Sequence, residues 1–347
     1  MAVFNHSEFD NHEQVVFCSD AETGLKAIIA VHSTALGPAV GGCRLWDYVS
    51  DEAALNDVLR LSKGMTYKNA MAGLPLGGGK SVIIGDAKKI KSEALFRAFG
   101  RMIHRLSGSY YSAEDVNITT GDIMIVNKET PFVAGLEGKS GNPAPFTALG
   151  TYRGIKAAAK HQFGSDDLNG KTVAVQGLGS VGFYLCEYLH KEGAKLIVTD
   201  INQDAVQRAV SQFGASAVGL DEIYAADADI YAPCALGATI NDDTIAQLKA
   251  RVVAGCANNQ LKEASHGDVL RQKGILYAPD YVINAGGIIN VASEMRPQGY
   301  SVDESTAKVN AIYDTLLNIF QRAEAENQST SLVADLMAQE IIRRGKQ

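Results

Sequence analysis

The segment TVAVQGLGSVGFYLCEYLHKEGAKLIVTD, residues 172–200, restricts the fold of this chain more than any other. An apolar run leads straight into Gly177, Gly179 and Gly182 at G-x-G-x-x-G spacing, an amphipathic stretch follows, and a second apolar run ends on Asp200. Strand, glycine turn, helix and strand in that order make a βαβ unit, whose two strands lie parallel because a helix crosses between them. Gly177 permits the tight turn, Gly179 lets the backbone approach a pyrophosphate, and Gly182 allows close helix packing. Ser180 and Val181 open the helix, where unpartnered N–H groups and the positive dipole end suit a phosphate. Asp200 stands 18 residues beyond Gly182, about the spacing at which a carboxylate accepts hydrogen bonds from an adenosine ribose. An acid there repels a 2′-phosphate, and the following Ile201 and Asn202 bring no arginine to hold one, so NAD is expected in preference to NADP.

The same alternation continues downstream. DIYAP, RVVAG and ILYAP are strand-like runs separated by polar amphipathic segments, which extends a parallel sheet covered by helices. The earlier part of the chain has another character, and the change falls in GLEGKSGNPAPFTALG, residues 135–150, whose Gly, Pro, Ser and Asn read as a linker. Before it, KAIIAVH is a strand candidate. Ser50 caps a helix with Asp51 and Glu52 in its first turn and Ala54, Val58, Leu61 and Met65 on one face. Ser92 caps another, with Leu95, Phe96, Phe99, Ile103 and Leu106 as its stripe, and SVIIG is a short strand between the two. At the far end, Asp303–Phe320 reads as one long helix through Val309, Ile312, Tyr313, Leu316 and Phe320, and a second helix runs from about Ser331 to Arg344.

With 347 residues, 46% hydrophobic and 20% charged, the chain is an ordinary globular one of about two domains. Its 39 acidic and 32 basic residues include no long basic run, so no nucleic-acid partner is expected. No apolar stretch of about 18 residues and no signal-like N-terminus occur, so a cytoplasmic protein with no membrane partner is expected. The five cysteines are scattered without a C-x-x-C, and the seven histidines lack metal-ligand spacing; neither a disulfide framework nor a metal site is expected.

A second glycine cluster, GLPLGGGKSVIIG, superficially offers a phosphate loop. The Walker spacing requires glycine at position 74, which is Leu74, and the segment leads into a strand where a phosphate loop opens a helix. What remains is Lys80, beside three glycines that let backbone or ligand come very close. Lys68 stands three residues after Met65, so amine and thioether share a helix face. Two ammonium groups partly out of water disfavour charge, which would let one serve as general base while the other holds a substrate carboxylate. Asp115, in YYSAEDVNIT, is the candidate proton partner. Lysines and aspartates mostly face solvent, and the pattern alone does not bring these three together.

GPAVGGCRLW, SKGMTYKNA, LPLGGGKSVIIGD, AEDVNIT, APCALGATIN, GCANNQL and YAPDYVINAGGIINVASE occur in this order over almost the full chain. Together they resemble the leucine, phenylalanine and valine dehydrogenases of the Glu/Leu/Phe/Val amino-acid dehydrogenase family. The resemblance implies an α/β fold of two domains: a mixed-sheet catalytic domain, 1–134 plus 328–347, and a doubly wound Rossmann domain, 135–327, separated by a cleft. It implies that Lys68 binds the substrate carboxylate, that Lys80 is acid and base toward the catalytic water, and that Asp115 joins the proton transfer. Gly41 and Gly42 would let substrate and nicotinamide lie close, Asn259 would help position both, Thr147 would contact the carboxamide, and Cys234, Ala235 and Asn258 would face the cofactor.

IIAVHSTALGPA, AAAKHQFGS and EGAKLIVTDIN are most similar to the leucine branch. The side-chain pocket implied by that match comprises Val40, Met65, Ala113, Ala134, Ile288 and Val291, all apolar. Val40 stands where that branch has Leu and Ala134 where it has Thr, which makes room. DVNIT, NPAPFT and NVASEM also resemble a tryptophan-using branch, so aromatic substrates stay open. The implied activity is reversible, NAD-dependent oxidative deamination of an apolar L-amino acid to a 2-oxo acid and ammonia by a homo-oligomer, from dimer up to octamer. A non-catalytic NAD-binding sensor would have no need of Lys68, Lys80 and Asp115 together. A 2-hydroxy-acid dehydrogenase would need a His with a carboxylate partner and an Arg, and none stands out.

Overall fold

A computed structural model describes residues 3–136, 140–296 and 298–345. The chain forms two compact units, one of Met1–Gly141, Val291–Tyr300 and Ala338–Gln347, the other of Asn142–Asn290 and Ser301–Met337. The short return at Val291–Tyr300, which the sequence-derived boundaries do not contain, is anchored by one carboxylate. Glu294 accepts the N–H groups of Gly135 (3.1 Å), Leu136 (3.4 Å) and Ser140 (3.0 Å). No helix among the described residues is long and apolar enough to cross a membrane.

The first unit is built on β1 (Gln14–Asp20), β2 (Leu25–Ser33), β3 (Ala39–Trp46), β4 (Gly77–Ile84) and β5 (Tyr110–Ala113), in the order β1-β2-β4-β3-β5. β1, β2 and β4 pair antiparallel, while β3 pairs parallel with β4 and β5, so the sheet is mixed. Helix Asp51–Met71, capped by Ser50 as its sequence requires, packs Ala54, Leu55, Val58 and Leu59 on Ile28, Ala30 and Val82. Helix Glu93–His104, capped by Ser92, packs Phe96, Phe99 and Ile103 on the opposite face with Ile29, Cys43, Leu45, Ile83 and Tyr110. Side chains alternate along a strand, so Lys80 shares the face of Val82, under helix Asp51–Met71, and Ser81 shares that of Ile83.

Two expectations change here. β4 begins at Gly77, four residues before SVIIG, because its glycines lie in the sheet. The deep side of helix Asp51–Met71 runs through Leu55, Leu59, Ser62, Thr66 and Asn69, while Leu61 and Met65 are only half-buried. The lower half of that face meets glycine backbone and two histidines, which favour polar partners, so hydrophobic periodicity points to the wrong edge.

The second unit holds β6 (Thr172–Gln176), β7 (Lys195–Thr199), β8 (Ser216–Ala217), β9 (Ile230–Pro233), β10 (Val252–Val253) and β11 (Leu276–Tyr277). All pairings are parallel, in the order β11-β10-β9-β6-β7-β8. This is the doubly wound dinucleotide-binding order, and it reverses between β6 and β9, where a ligand crevice forms at the strands' carboxyl ends. Part of the linker segment is helical: Ala144–Phe163 forms a 20-residue helix with proline in its first turn, where a missing N–H costs nothing. The long helix read from 303 to 320 is divided at Ala311 into Val302–Asn310 and Ile312–Glu326, although Val309, Ile312, Leu316 and Phe320 stay buried on one side.

Candidate active site

In the first unit, Lys80 and Asp115 meet. The ammonium Nζ lies 2.7 Å from Asp115 Oδ2, and the lysine is 6% exposed. Arg44, on β3, places Nε 3.3 Å from the same oxygen and Nη1 2.9 Å from Asp57 Oδ2, to which the Tyr48 hydroxyl donates at 2.7 Å. Burial raises the Asp115 carboxyl, but Lys80 and Arg44 outweigh it and hold the group below the ordinary carboxylate value. Asp115 is therefore an anion at neutral pH. Arg44 escaped the sequence reading; its one signal was a charge on an otherwise apolar, glycine-containing strand.

The glycines around this pair are filled by the protein's own backbone. A Cβ on Gly78 would lie 2.0 Å from the Thr66 amide nitrogen, one on Gly77 2.0 Å from the Ser33 carbonyl oxygen, and one on Gly79 2.7 Å from the Tyr110 ring. Helix Asp51–Met71 is thus pressed onto β4, with Asn69 Nδ2 donating to the Gly77 carbonyl at 2.6 Å. On β3, a Cβ on Gly41 would meet the Gly79 oxygen at 1.8 Å and the Met65 side chain at 3.2 Å, and one on Gly42 would meet Glu114 O at 2.4 Å and Asp115 Cβ at 2.8 Å. The Tyr110 hydroxyl, beneath, donates to the Gly41 carbonyl at 2.8 Å and pairs with Ser81 Oγ at 2.9 Å. Met65 and Lys68 are both half-buried on the helix that roofs Lys80.

In the second unit the fingerprint closes at the switch point. Gly177 takes φ +100°, and a Cβ there would sit 2.8 Å from Ala235 Cβ and 2.9 Å from the Cys234 carbonyl carbon, so the turn after β6 lies against the segment after β9. A Cβ on Gly182 would reach the Gly177 oxygen at 2.0 Å, whereas one on Gly179 would meet nothing within 4 Å. Helix Ser180–Lys191 has Gly179 at its N-cap and no side-chain cap, leaving N–H groups toward that open space beside Ser180 and Val181. Asp200 follows β7 and accepts from Leu178 N–H at 2.5 Å and Asn202 N–H at 2.7 Å, with lone pairs left on both oxygens. Ile201 is 83% exposed beside it. These features fit a dinucleotide.

The sequence pattern of the Glu/Leu/Phe/Val dehydrogenase dimerisation domain matches residues 12–135, and that of the Glutamate/Leucine/Phenylalanine/Valine dehydrogenase domain matches 140–206 and 198–343. A leucine dehydrogenase of Bacillus cereus is 59% identical over 345 residues, 99% of this chain and 94% of that one. An L-tryptophan dehydrogenase of Nostoc punctiforme is 48% identical over 347 residues, 100% of this chain and 98% of that one. The crystal structure of L-tryptophan dehydrogenase from Nostoc punctiforme superposes with a TM-score of 0.87 at 46% identity, over 97% of each chain. The chain belongs to the Glu/Leu/Phe/Val dehydrogenase family. It is an amino-acid dehydrogenase and an oxidoreductase.

The remaining sequence-derived positions of this dehydrogenase divide by exposure. Met65, Ala113, Ile288 and Val291 are half-buried, while Val40 is 0% and Ala134 1% exposed, so these two present no surface to a ligand here. Ala134 N–H donates to the Ser112 carbonyl at 2.9 Å, which joins it to the end of β5. Ile288 belongs to the second unit and Val291 to the first. Thr147 lies near the start of helix Ala144–Phe163, where a Cβ on Gly287 would sit 2.7 Å from its Oγ1. Asn258 and Asn259 are exposed after β10; Asn258 Oδ1 accepts from Asn284 Nδ2 at 2.7 Å, and Asn259 takes φ +52°.

Proposed function

We propose that this dehydrogenase catalyses reversible, NAD-dependent oxidative deamination of L-leucine and related branched-chain amino acids to the 2-oxo acid and ammonia. The ion pair of buried Lys80 with half-buried Asp115 at 2.7 Å carries the reading, and the 59% identity to a leucine dehydrogenase supports the substrate class. The dinucleotide, when bound, supplies the acceptor for hydride from the substrate α-carbon. The Gly177–Gly182 turn would receive its pyrophosphate at the open Gly179, and Asp200 its ribose hydroxyls, with the acid disfavouring a 2′-phosphate.

Lys68 would hold the substrate carboxylate. Once its ammonium has passed a proton to Asp115, Lys80 Nζ would take one from the water that attacks the oxidised α-carbon and return one as the amine leaves. Asp115, kept ionised by Lys80 and Arg44, would stabilise the ammonium and accept its proton in turn. Apolar Met65 and Ala113 give a side chain no charge to pair with, which weighs against acidic substrates. The first unit, matched by a dimerisation-domain pattern, is the proposed seat of self-association, and a reducing, cytoplasmic setting accords with five free thiols.

The test is an NADH-formation screen over leucine, valine, isoleucine, phenylalanine, tryptophan and glutamate, repeated with NADP. Highest kcat/KM on a branched-chain substrate with NAD is expected. A preference for tryptophan or phenylalanine would move the enzyme to the aromatic reading, and no turnover of any substrate would leave a sensor.

A further inference from the structure

Two cysteines that stand 22 residues apart in the chain meet at the carboxyl end of the six-stranded sheet. β9 and β10 pair in parallel with Ile230 opposite Val252 and Tyr231 opposite Val253. Gly255, packed on Pro233, carries that register two residues further, and Cys234 and Cys256 are the next residues of the two segments. Neighbouring strands run about 4.8 Å apart, inside the roughly 4.4–6.8 Å between Cα atoms that a disulfide spans. The ladder also slips there: Ala257 donates to the Pro233 carbonyl at 3.0 Å, and Gly255 lies flat on Pro233, whose oxygen is 2.1 Å from where a Cβ would stand. The Cys256 amide is thereby left out of the ladder, beside Cys234.

The other three cysteines have a different environment. Cys18, Cys43 and Cys186 are buried, whereas Cys234 and Cys256 are half-buried. Burial pushes the Cys18 thiol up to about 11 and Cys43 up to about 12. At Cys234 the neighbouring Cys256 thiol and amide outweigh burial and hold the group below the ordinary thiol value. Thiolate character of that kind selects the attacking sulfur.

We propose that Cys234 and Cys256 form a dithiol that peroxides oxidise to an intrachain disulfide, and that this bond disables the dinucleotide turn against which Cys234 packs. The second half rests on the dinucleotide reading given above. The Cys234 thiolate attacks one peroxide oxygen, the O–O bond breaks, and a sulfenic acid forms as the other oxygen leaves as water. The Cys256 sulfur then attacks Cys234 Sγ, the S–S bond forms, and a second water departs, so two thiols and one hydrogen peroxide give one disulfide and two waters. The Cys234 carbonyl carbon lies 2.9 Å from where a Gly177 Cβ would stand and its Cβ 3.4 Å from that of Gly182. Drawing Cys234 toward Cys256 therefore moves one wall of the turn.

The full chain is treated with equimolar hydrogen peroxide, digested without reduction and analysed by mass spectrometry, while NADH affinity is read by fluorescence titration before and after dithiothreitol. A Cys234–Cys256 linked peptide and an NADH affinity weakened at least tenfold, both reversed by dithiothreitol, are expected. Cys256→Ser, or Cys256→Ala should the first fail to fold, loses the linked peptide and keeps its NADH affinity through the same treatment. Absence of the linked peptide in the parent overturns the dithiol, and a linked peptide with unchanged NADH affinity overturns the coupling to the turn. Failure of the untreated protein to bind NADH strikes the dinucleotide reading and with it the coupling, while the peptide still decides the dithiol.

Discussion

Replacing Gly179 by alanine separates what the nucleotide turn does for folding from what it does for binding. Gly179 has φ −64° and ψ −170°, a conformation open to any residue, and an added Cβ would meet no atom within 4 Å. Alanine there restricts the unfolded chain without straining the folded one, which stabilises by about 0.4–1 kcal/mol. The space that the methyl enters is the space assigned to the pyrophosphate, and crowding of that kind typically costs about 1–3 kcal/mol, roughly a ten- to hundredfold weaker Kd. Stability and affinity should thus move in opposite directions. Gly182→Ala is the counterpart: its Cβ would stand 2.0 Å from the Gly177 carbonyl oxygen, which is backbone and cannot swing aside. That variant should lose stability by about 1–3 kcal/mol or more. Thermal melts of the three proteins without ligand, with calorimetric titration of NAD, read both quantities. A Gly179→Ala protein that binds NAD as tightly as the parent would refute the reasoning, because the open space would then not be where the phosphates lie.

Acid sensitivity should trace to His32, which burial and the neighbouring His12 hold at about 4 instead of the usual 6.5. The unfolded chain protonates this imidazole first, so stability present above pH 6.5 is lost as pH falls toward 4, by about 3 kcal/mol at about 1.4 kcal/mol per unit. Denaturant midpoints at pH 7, 5.5 and 4.5 should show that slope and His32→Asn should flatten it; an equal slope in both proteins would assign the sensitivity elsewhere. Combining Val40→Leu with Ala134→Thr enlarges two side chains that are 0% and 1% exposed. The expected outcome is a lowered melting temperature with kcat/KM on leucine and phenylalanine falling in parallel. A shift in their ratio beyond about fivefold, roughly 1 kcal/mol, would show that both positions line the substrate side chain after all.

The βαβ unit was legible in the sequence because its signal concerns backbone. Gly177 needs its left-handed φ and Gly182 its missing Cβ whatever the surrounding residues are, so the spacing alone reports the turn. The glycines at 77–79 obey the same steric rule, yet their meaning was hidden, since a bare Cα position invites either a ligand or another piece of protein. Here the occupants are Ser33, Thr66 and Tyr110, supplied by β2, helix Asp51–Met71 and β5, and only tertiary register could reveal them. The same limit concealed Arg44 behind Asp115 and the partnership of Cys234 with Cys256, which depends on how β9 and β10 align rather than on any local spacing. A glycine's consequence therefore depends on whether its vacant Cβ site is filled by the fold or left open. Gly78 and Gly179 are the two cases: at the first a methyl group must push a helix off Lys80's strand, and at the second it can trouble only a ligand.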